Sequence, residues 1–428
     1  MVDLCIVNCK IPPSKSEQCI AVDNGKITSI KKIPIKSDEI IDLEGKTVLP
    51  GLIDVHVHLR DPGLTEKEDF RSGTMAAANG GFTTVFDMPN TIPPTNTVRA
   101  FRQKKEIAKK KSIVDYGLHS GVGNLEEIEK IANLNPASFK IFMDLSDNKF
   151  LIEAFQRISN LKFNPIITLH AEDGGIIDYC TSKMMKKVDL NPELYAKARP
   201  PLAEILSISY AIEMSKYLGN RIHICHVSTI ESIKLIEKAR KDNCNISAEV
   251  TPHHLFLDSK YLHLKGNFAK TNPPLRSTKY KIGIEHLAEM DMIGTDHAPH
   301  RIVEKNQDVW NAPPGVPNLE TALPLLLNEF NQGNITLELI KKMLCENPSQ
   351  RFNLENKGFL KEGMDADLVV VDLKKESVIT PEDFKSKAKY SPFEGFEVKG
   401  MPVMTLVRGK VVMEDGDIFE NKGKFVYD

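Results

Sequence analysis

Short apolar runs recur along the middle of the chain, and most of them are separated by segments with helical spacing. The segment "STIESIKLIEKARK", for example, has apolar residues three or four positions apart, which is typical of a helix packed on one face. Its first four residues, "STIE", are predicted to open the helix as a capping box. We predict eight strands, at "LIDVHVHL", "FTTVFDM", "IVDYGLHS", "SFKIFMD", "PIITLHAED", "RIHICHVS", "NISAEVTP" and "MIGTDHAP".

This alternation predicts an α/β protein with a closed (β/α)8 TIM barrel at residues 49–356. Such barrels have about 250 residues, and the surplus here follows the fifth and seventh predicted strands, where barrels carry functional loops. Both ends of the chain instead alternate apolar and polar residues, and "DNGK" is a hairpin turn signal. We therefore predict a small β-sandwich domain built from residues 1–48 and 357–428.

Charge argues against nucleic-acid and membrane-surface partners, because 56 Lys and Arg residues nearly balance 58 Asp and Glu residues. The most basic stretch, "KKEIAKKK", has helical spacing and is predicted to form a solvated helix face. The seven cysteines are scattered without a C-x-x-C pair, which favours reduced thiols. With no signal peptide apparent and no apolar run near the roughly 20 residues of a membrane span, we expect a soluble, cytoplasmic protein.

The stretch "DVHVHLRDPG" contains candidate metal ligands, His56 and His58. Residues i and i+2 of a strand share a face, so both imidazoles are predicted to project into the barrel near the end where barrel enzymes keep their chemistry. His170, His226 and Asp296 also end predicted strands, so they could converge on the same mouth. Imidazole and carboxylate ligands suit zinc or a similar metal.

Parity within "RIHICH" places Ile222, Ile224 and His226 on one face and predicts that His223 faces the helix layer. His119 follows another predicted strand without an evident partner, so we expect a structural role for it.

Lys140, inside "SFKIFMD", is the candidate for a group that bridges two metals. Two metals close together need a bridging anion, and a lysine that has reacted with carbon dioxide supplies a carbamate with two oxygens. Burial favours the neutral amine that this reaction requires. The alternative is an ordinary lysine that is ion-paired inside the barrel.

Several motifs resemble those of dihydroorotases of the amidohydrolase superfamily, and the resemblance covers essentially the whole chain. The motifs in the barrel are "PGLIDVHVHLRDPG", "DMPNT", "LHAED", "HVST", "EVTPHHLFL", "TNPPLR" and "GTDHAPH", and "GFLKEGMDADLVVVD" resembles the superfamily's C-terminal signature. The resemblance implies a barrel with a β-sandwich from both termini. It implies two zinc ions per subunit, one held by His56, His58 and Asp296, the other by His170 and His226, with carboxylated Lys140 between them.

Some relatives have aspartate in place of the bridging lysine. Here Asp144 lies four residues after Lys140, so an aspartate bridge would need a different register of the strand. Lys140 is therefore favoured as the bridging residue. The resemblance further implies that activated water opens the ring amide of dihydroorotate to give N-carbamoyl-L-aspartate, and that pyrimidine synthesis runs this reaction backwards. Asp296 would move the proton.

The resemblance also implies substrate contacts. Arg60, whose guanidinium suits a carboxylate, continues the parity of the two histidines if the strand extends that far. The other expected contacts are Asn90, Asn272, His300, Pro314 and Gly315. The asparagines could instead cap turns and His300 could be a loop residue, while Pro314 stands where many relatives have phenylalanine. His253 and His254 match the family but are given no role.

Two other functions stay open at this point. Another cyclic amidase, such as a hydantoinase, dihydropyrimidinase or allantoinase, would use the same metal centre, but Arg60 argues for an acidic ring. A non-catalytic scaffold would lose metal ligands, whereas this chain keeps every expected position. The expected partner is a small-molecule substrate, and homo-oligomerisation or association with a transcarbamoylase stays open.

Overall fold

The computed structural model describes residues 1–14, 16–186 and 192–428. Five strands occupy the N-terminal segment: β1 Val2–Lys10, β2 Glu17–Asp23, β3 Lys26–Lys31, β4 Ser37–Asp42 and β5 Thr47–Pro50. The predicted hairpin at "DNGK" is confirmed, because Asp23 pairs with Lys26 across the turn between β2 and β3. Asn24 and Gly25 both have positive φ, 50° and 76°, as a tight hairpin turn requires.

The middle of the chain forms the predicted barrel. Its strands are β6 Leu52–Val57, β7 Phe82–Asp87, β8 Asp115–Leu118, β9 Ser120–Gly121, β10 Phe139–Phe142, β11 Ile166–His170, β12 Arg221–Ile224, β13 Ile246–Val250 and β14 Met292–Ile293. Within the described residues, these strands pair in parallel. A parallel bridge between Val57 and His297 closes the ring. Each of the eight predicted runs contains one of these strands, so the strand prediction is confirmed.

Helices cover the outside of the barrel and lie in the connections between its strands. They are α1 Phe70–Asn79, α2 Val98–Lys111, α3 Ile128–Ala132, α4 Asn148–Ser159, α5 Gly174–Met184, α6 Pro192–Ala198, α7 Pro201–Leu218, α8 Ile230–Lys241, α9 Pro252–Phe256, α10 Lys260–Lys265, α11 Ile302–Lys305, α12 Ala322–Asn331, α13 Leu337–Lys341 and α14 Asn347–Arg351. The long connections follow β11 and β13, as predicted. Within the described ranges, every helix is too short or too polar to cross a bilayer.

The C-terminal segment returns to the N-terminal strands. It contains β15 Leu368–Val378, β16 Glu397–Val407, β17 Lys410–Glu414 and β18 Asp417–Ile418. Strand β15 pairs with β5, so strands from both ends form one sheet, nine-stranded within the described residues. Side chains from both ends, including Leu4, Ile20, Leu368 and Leu406, share one apolar core. This arrangement agrees with the prediction that both termini build one β domain.

Two local predictions are wrong. The N-cap of α8 is Thr229, whose side chain accepts a hydrogen bond from Ser232 N, so the helix is capped one residue later than the "STIE" prediction has it. Ser228 instead donates its hydroxyl to the buried Glu204. In the basic run, Lys104 is fully buried rather than solvated, because it forms an ion pair with the buried Asp87.

Candidate active site

The site residues predicted from the sequence line one cavity of about 390 Å³. Those residues are His56, His58, Arg60, Asn90, Lys140, His170, His226, Asn272, Asp296, His300, Pro314 and Gly315. The cavity lies at the carboxyl ends of the barrel strands, since most of these residues belong to a strand end or to the loop that follows it. Their convergence in one place is what the parallel topology requires.

His56, His58 and Asp296 form the first group of candidate ligands. Asp296 Oδ1 lies 3.3 Å from His56 Nε2 and 3.0 Å from His58 Nε2. Ligand atoms of the three residues all lie within 4.8 Å of one another. Strand β6 ends between the two histidines, and His58 N donates to His297 O at 2.8 Å, which fixes the loop against the residue that follows Asp296.

His170 and His226 form the second group. His170 Nδ1 lies 2.9 Å from His226 Nε2. The ring centroids of His56 and His226 are 5.4 Å apart, so the two groups are neighbours. Within the part of the chain that is described, the buried His226 Nδ1 has no hydrogen-bond partner.

The parity argument for His223 and His226 is wrong. His226 lies beyond the end of β12 with φ of 37°, so the period-2 alternation of the strand no longer applies to it. His223 aligns with Thr168 and Ser247 on the neighbouring strands, and its ring bonds Ser247 Oγ at 2.8 Å and Glu249 Oε2 at 3.0 Å. His223 therefore points into the barrel rather than towards the helix layer.

His119 is also buried in the barrel. Its ring contacts Ser138 Oγ at 2.6 Å and Val55 O at 2.9 Å. Burial lowers the pKa of His119 to about 3, which keeps the imidazole neutral. These contacts agree with the structural role expected for it.

Lys140 is buried on β10 with its side chain in the cavity wall. Its Nζ lies 2.9 Å from Cys225 Sγ. Among the described residues, no carboxylate forms an ion pair with Lys140, which argues against the alternative of a lysine ion-paired inside the barrel. Asp144 also lines the cavity, but it pairs with Arg199 Nη2 at 2.9 Å.

Sequence reasoning missed Glu249, which supports the first group of ligands. This fully buried carboxylate contacts His56 Nδ1 through a short hydrogen bond and also binds His223. Burial by itself raises a carboxyl pKa, yet His56 and His223 hold the pKa of Glu249 well below its usual range. Its position as the one charged residue of the strand "ISAEV" is the signal that could have found it.

Glu172 and Arg199 were missed as well. Glu172 Oε2 lies 3.0 Å from His170 Nε2 and accepts from Arg199 Nη2 at 2.7 Å. Arg199 thereby joins Glu172 to Asp144 beside the second pair of histidines. The pKa of Glu172 is lowered because Arg199 and His170 outweigh the effect of burial.

Arg60 reaches the cavity for a reason other than the one predicted. Strand β6 ends at Val57, and Arg60 has a left-handed backbone with φ of 64°, so the parity argument does not extend to it. Its guanidinium donates Nε–H to Pro299 O at 3.3 Å and lies 3.1 Å from His300 Nε2. Within the described ranges, no carboxylate is ion-paired with this buried cation, and the adjacent Asp61 pairs with Lys111 instead.

The asparagines contact side chains of the site rather than simply capping turns. Asn90 Oδ1 lies 2.7 Å from His58 Nδ1. Asn272 Oδ1 accepts from the hydroxyl of Tyr195. Both asparagines therefore have fixed positions at the cavity wall.

The segment around Pro314 has a defined backbone despite the missing phenylalanine. His300 Nε2 lies 3.0 Å from Pro314 O, Gly315 N donates to Lys270 O at 2.8 Å, and Lys305 Nζ donates to Gly315 O at 2.9 Å. Gly315 has φ of 137°, and a Cβ there would lie 2.5 Å from Ala298 O, so only glycine fits.

His253 and His254 are buried behind the cavity. His254 bonds Thr251 Oγ1 at 2.8 Å and Pro273 O at 3.1 Å, while His253 Nδ1 bonds Asn318 at 2.9 Å.

These residues fit a divalent metal. Imidazole nitrogens and a carboxylate oxygen are the donors that zinc and similar ions prefer. His170 Nδ1 and His226 Nε2 lie 2.9 Å apart, so the two rings present nitrogen atoms to one point. Glu249 orients His56 through its other ring nitrogen, as carboxylates commonly do behind metal-binding histidines.

Known proteins are similar to this chain over its whole length. Residues 47–412 match the amidohydrolase family. The chain is 46% identical over 426 residues to a dihydroorotase of Methanothermobacter thermautotrophicus, covering 100% of this chain and 97% of that one. It is also 46% identical over 434 residues to a dihydroorotase of Methanosphaera stadtmanae, covering 100% of both. The chain belongs to the dihydroorotase family of amidohydrolases.

Solved structures of the superfamily share the fold. The L-hydantoinase (dihydropyrimidinase) from Arthrobacter aurescens superposes with a TM-score of 0.94 at 33% identity and covers 100% of both chains. Fold and family together make this protein a metal-dependent cyclic amidohydrolase that acts on a small molecule.

Proposed function

We propose that this protein is a dihydroorotase, which interconverts N-carbamoyl-L-aspartate and (S)-dihydroorotate with release or uptake of water. The observation that carries the proposal is Arg60, a buried guanidinium in the cavity wall that, within the described chain, has no carboxylate partner. A buried cation without a counter-charge is costly unless a ligand supplies one. The carboxylate of dihydroorotate is such a ligand.

The metal centre that we propose contains two zinc ions. His56, His58 and Asp296 would hold one ion, His170 and His226 the other, and carboxylated Lys140 would bridge them. Two observations support this division. The ligand atoms of the first group all lie within 4.8 Å of one another, and the facing ring nitrogens of the second group are 2.9 Å apart. A bound zinc pair would lower the pKa of water from about 15.7 towards 7 and polarise a ring carbonyl.

Asp296 would move the proton of the reaction. Its Oδ1 faces both histidines, so Oδ2 is left to accept a proton from water and to deliver it to the ring nitrogen that leaves. In ring closure the same oxygen would accept the proton of the ureido nitrogen.

The remaining cavity residues would bind and orient the ring. Arg60 can present two parallel N–H groups to the substrate carboxylate. Asn90, Asn272 and His300 would contribute side-chain polar atoms, and Pro314 and Gly315, next to His300, would contribute backbone groups.

The second candidate is a hydantoinase or dihydropyrimidinase, which is favoured by the close fold match to an L-hydantoinase. The sequence is nearer to the named dihydroorotases, at 46% against 33% identity. A neutral ring would also leave the Arg60 charge unpaired.

We also propose that residues 49–356 form the catalytic barrel and that residues 1–48 and 357–428 form the β domain. The pairing of β15 with β5 supports this division. Homo-oligomerisation and association with a transcarbamoylase stay predictions.

Steady-state assays in both directions test the proposed function. Metal-replete protein should cyclise N-carbamoyl-L-aspartate and hydrolyse dihydroorotate, with little turnover of hydantoin or allantoin. Appreciable turnover of the neutral rings with none of dihydroorotate would contradict the proposal.

A further inference from the structure

We propose that Lys104 and Lys111 of helix α2 are positioning residues that hold Arg60 in place and leave its guanidinium free for the substrate carboxylate. This inference rests on the proposed function, because it assumes that Arg60 binds an anionic ring.

Arg60 needs such support because its conformation is unfavourable in isolation. Its φ of 64° lies in the left-handed region, which non-glycine residues seldom adopt. Two carboxylates lie beside the loop. Asp87 is near enough for its charge to interact with that of Arg60, and Asp61 follows Arg60 directly in the chain. Either carboxylate could pair with Arg60 and draw it out of the cavity.

Lys104 pairs with the first of these carboxylates, Asp87. Its fully buried Nζ forms an ion pair with Asp87 and donates to Met88 O at 2.6 Å. Asp87 Oδ1 in turn accepts from Leu59 N at 2.6 Å. Lys104 therefore fixes, through Asp87, the residue on the N-terminal side of Arg60.

Lys111 pairs with the second carboxylate, Asp61. Its Nζ donates to Asp61 Oδ2 at 2.6 Å, and the Asp61 side chain is only 4% exposed. Lys111 therefore fixes the residue on the C-terminal side of Arg60. The two lysines hold both neighbours of Arg60 and supply the counter-charges of Asp87 and Asp61.

The spacing along α2 matches this task. Lys104 and Lys111 are seven residues apart, which is two helical turns or roughly 10.5 Å along the axis, and so they share a face. Lys109 and Lys110, on the same helix, are exposed. Of the five lysines in the basic run, two are directed at the loop and two at solvent, while Lys105 pairs with Asp428.

The test compares Lys111→Met with Lys109→Met in the full-length, metal-replete enzyme, using dihydroorotate as substrate. Lys111→Met should raise KM about tenfold while kcat changes less than about twofold, because binding of the carboxylate is weakened and the chemistry is not. Lys109→Met should leave both constants unchanged, Lys111→Arg should restore KM, and metal content should be equal in all variants. Lys104→Met should also raise KM. If substitution of the buried Lys104 prevents folding, Lys111→Met still provides the test.

A double-mutant cycle separates positioning from general stability. In an Arg60→Ala background, Lys111→Met should have no further effect on KM, since the residue through which it acts is gone. An unchanged KM for Lys111→Met, or an equal increase in the Arg60→Ala background, would overturn the inference while the proposed function stands. Failure of the wild-type enzyme to turn over dihydroorotate would overturn the proposed function, and this inference with it.

Discussion

Arg60 Nη2 lies 3.1 Å from His300 Nε2, in a buried corner of the cavity. Burial, together with Arg60 and nearby lysines, holds the pKa of His300 well below its usual range, so the imidazole is neutral and brings no negative charge to the guanidinium. His300 orients Arg60 without cancelling its charge. The positive charge therefore stays available to an acidic substrate.

Replacement of Arg60 should weaken substrate binding. Charge-assisted hydrogen bonds contribute about 1.5–3 kcal/mol each, so Arg60→Ala should raise KM for dihydroorotate about 100-fold. Arg60→Lys keeps the charge but loses the planar pair of donors, so its KM should lie between those of the wild type and Arg60→Ala. Steady-state kinetics with parallel metal analysis checks this. An unchanged KM at full metal content would remove Arg60 from carboxylate binding.

Replacement of Asp296 should abolish turnover. A positioned acid or base contributes about 10²–10⁴-fold, and Asp296 also contacts both histidines of its group. Asp296→Ala should therefore lower kcat by at least about 10³-fold. Substantial activity in the variant would exclude Asp296 as the proton carrier.

Glu249 should govern metal affinity rather than substrate affinity. Its carboxylate holds His56 through the ring nitrogen that faces away from Asp296. Loss of such a partner typically lowers metal affinity about 10–100-fold, and Glu249→Gln should do so in chelator-competition titrations. Once the variant is saturated with zinc, KM for dihydroorotate should be near that of the wild type. A wild-type metal affinity in Glu249→Gln would contradict this role.

Lys140 should carry the carbon dioxide adduct. A crystal structure of the zinc-loaded enzyme should show additional density on Nζ, and Lys140→Met should bind less zinc and lose activity. A bare ammonium between two bound metals would contradict the proposed bridge, because it would repel both ions.

The sequence revealed the fold well because the relevant signals are local. Strands such as "PIITLH" and "RIHI" are marked by β-branched composition, and their alternation with helices leaves few topologies open. Candidate ligands at strand ends followed from that topology. The β domain followed from the period-2 pattern at both termini.

Side-chain direction beyond the strand ends was not predictable. Arg60, His226 and Asp296 have positive φ, at 64°, 37° and 46°, and each lies past the end of its strand. Period-2 reasoning stops where the backbone leaves the extended region, so it failed for Arg60 and for the histidines of "HICH".

Tertiary partners were hidden for a different reason. Glu249 takes its role from His56 on another strand, and Glu172 and Arg199 bind each other across 27 residues of sequence. Lys104 pairs with a buried carboxylate, but the helical pattern of its segment does not indicate which of the lysines does so.

The most direct test of the central claim, that an unpaired buried guanidinium beside a metal centre selects an acidic ring, is the ratio of kcat/KM for dihydroorotate to that for dihydrouracil. These rings differ only by the carboxylate. The wild-type, metal-replete enzyme should favour dihydroorotate by at least about 100-fold. Equal or better use of dihydrouracil would contradict the account.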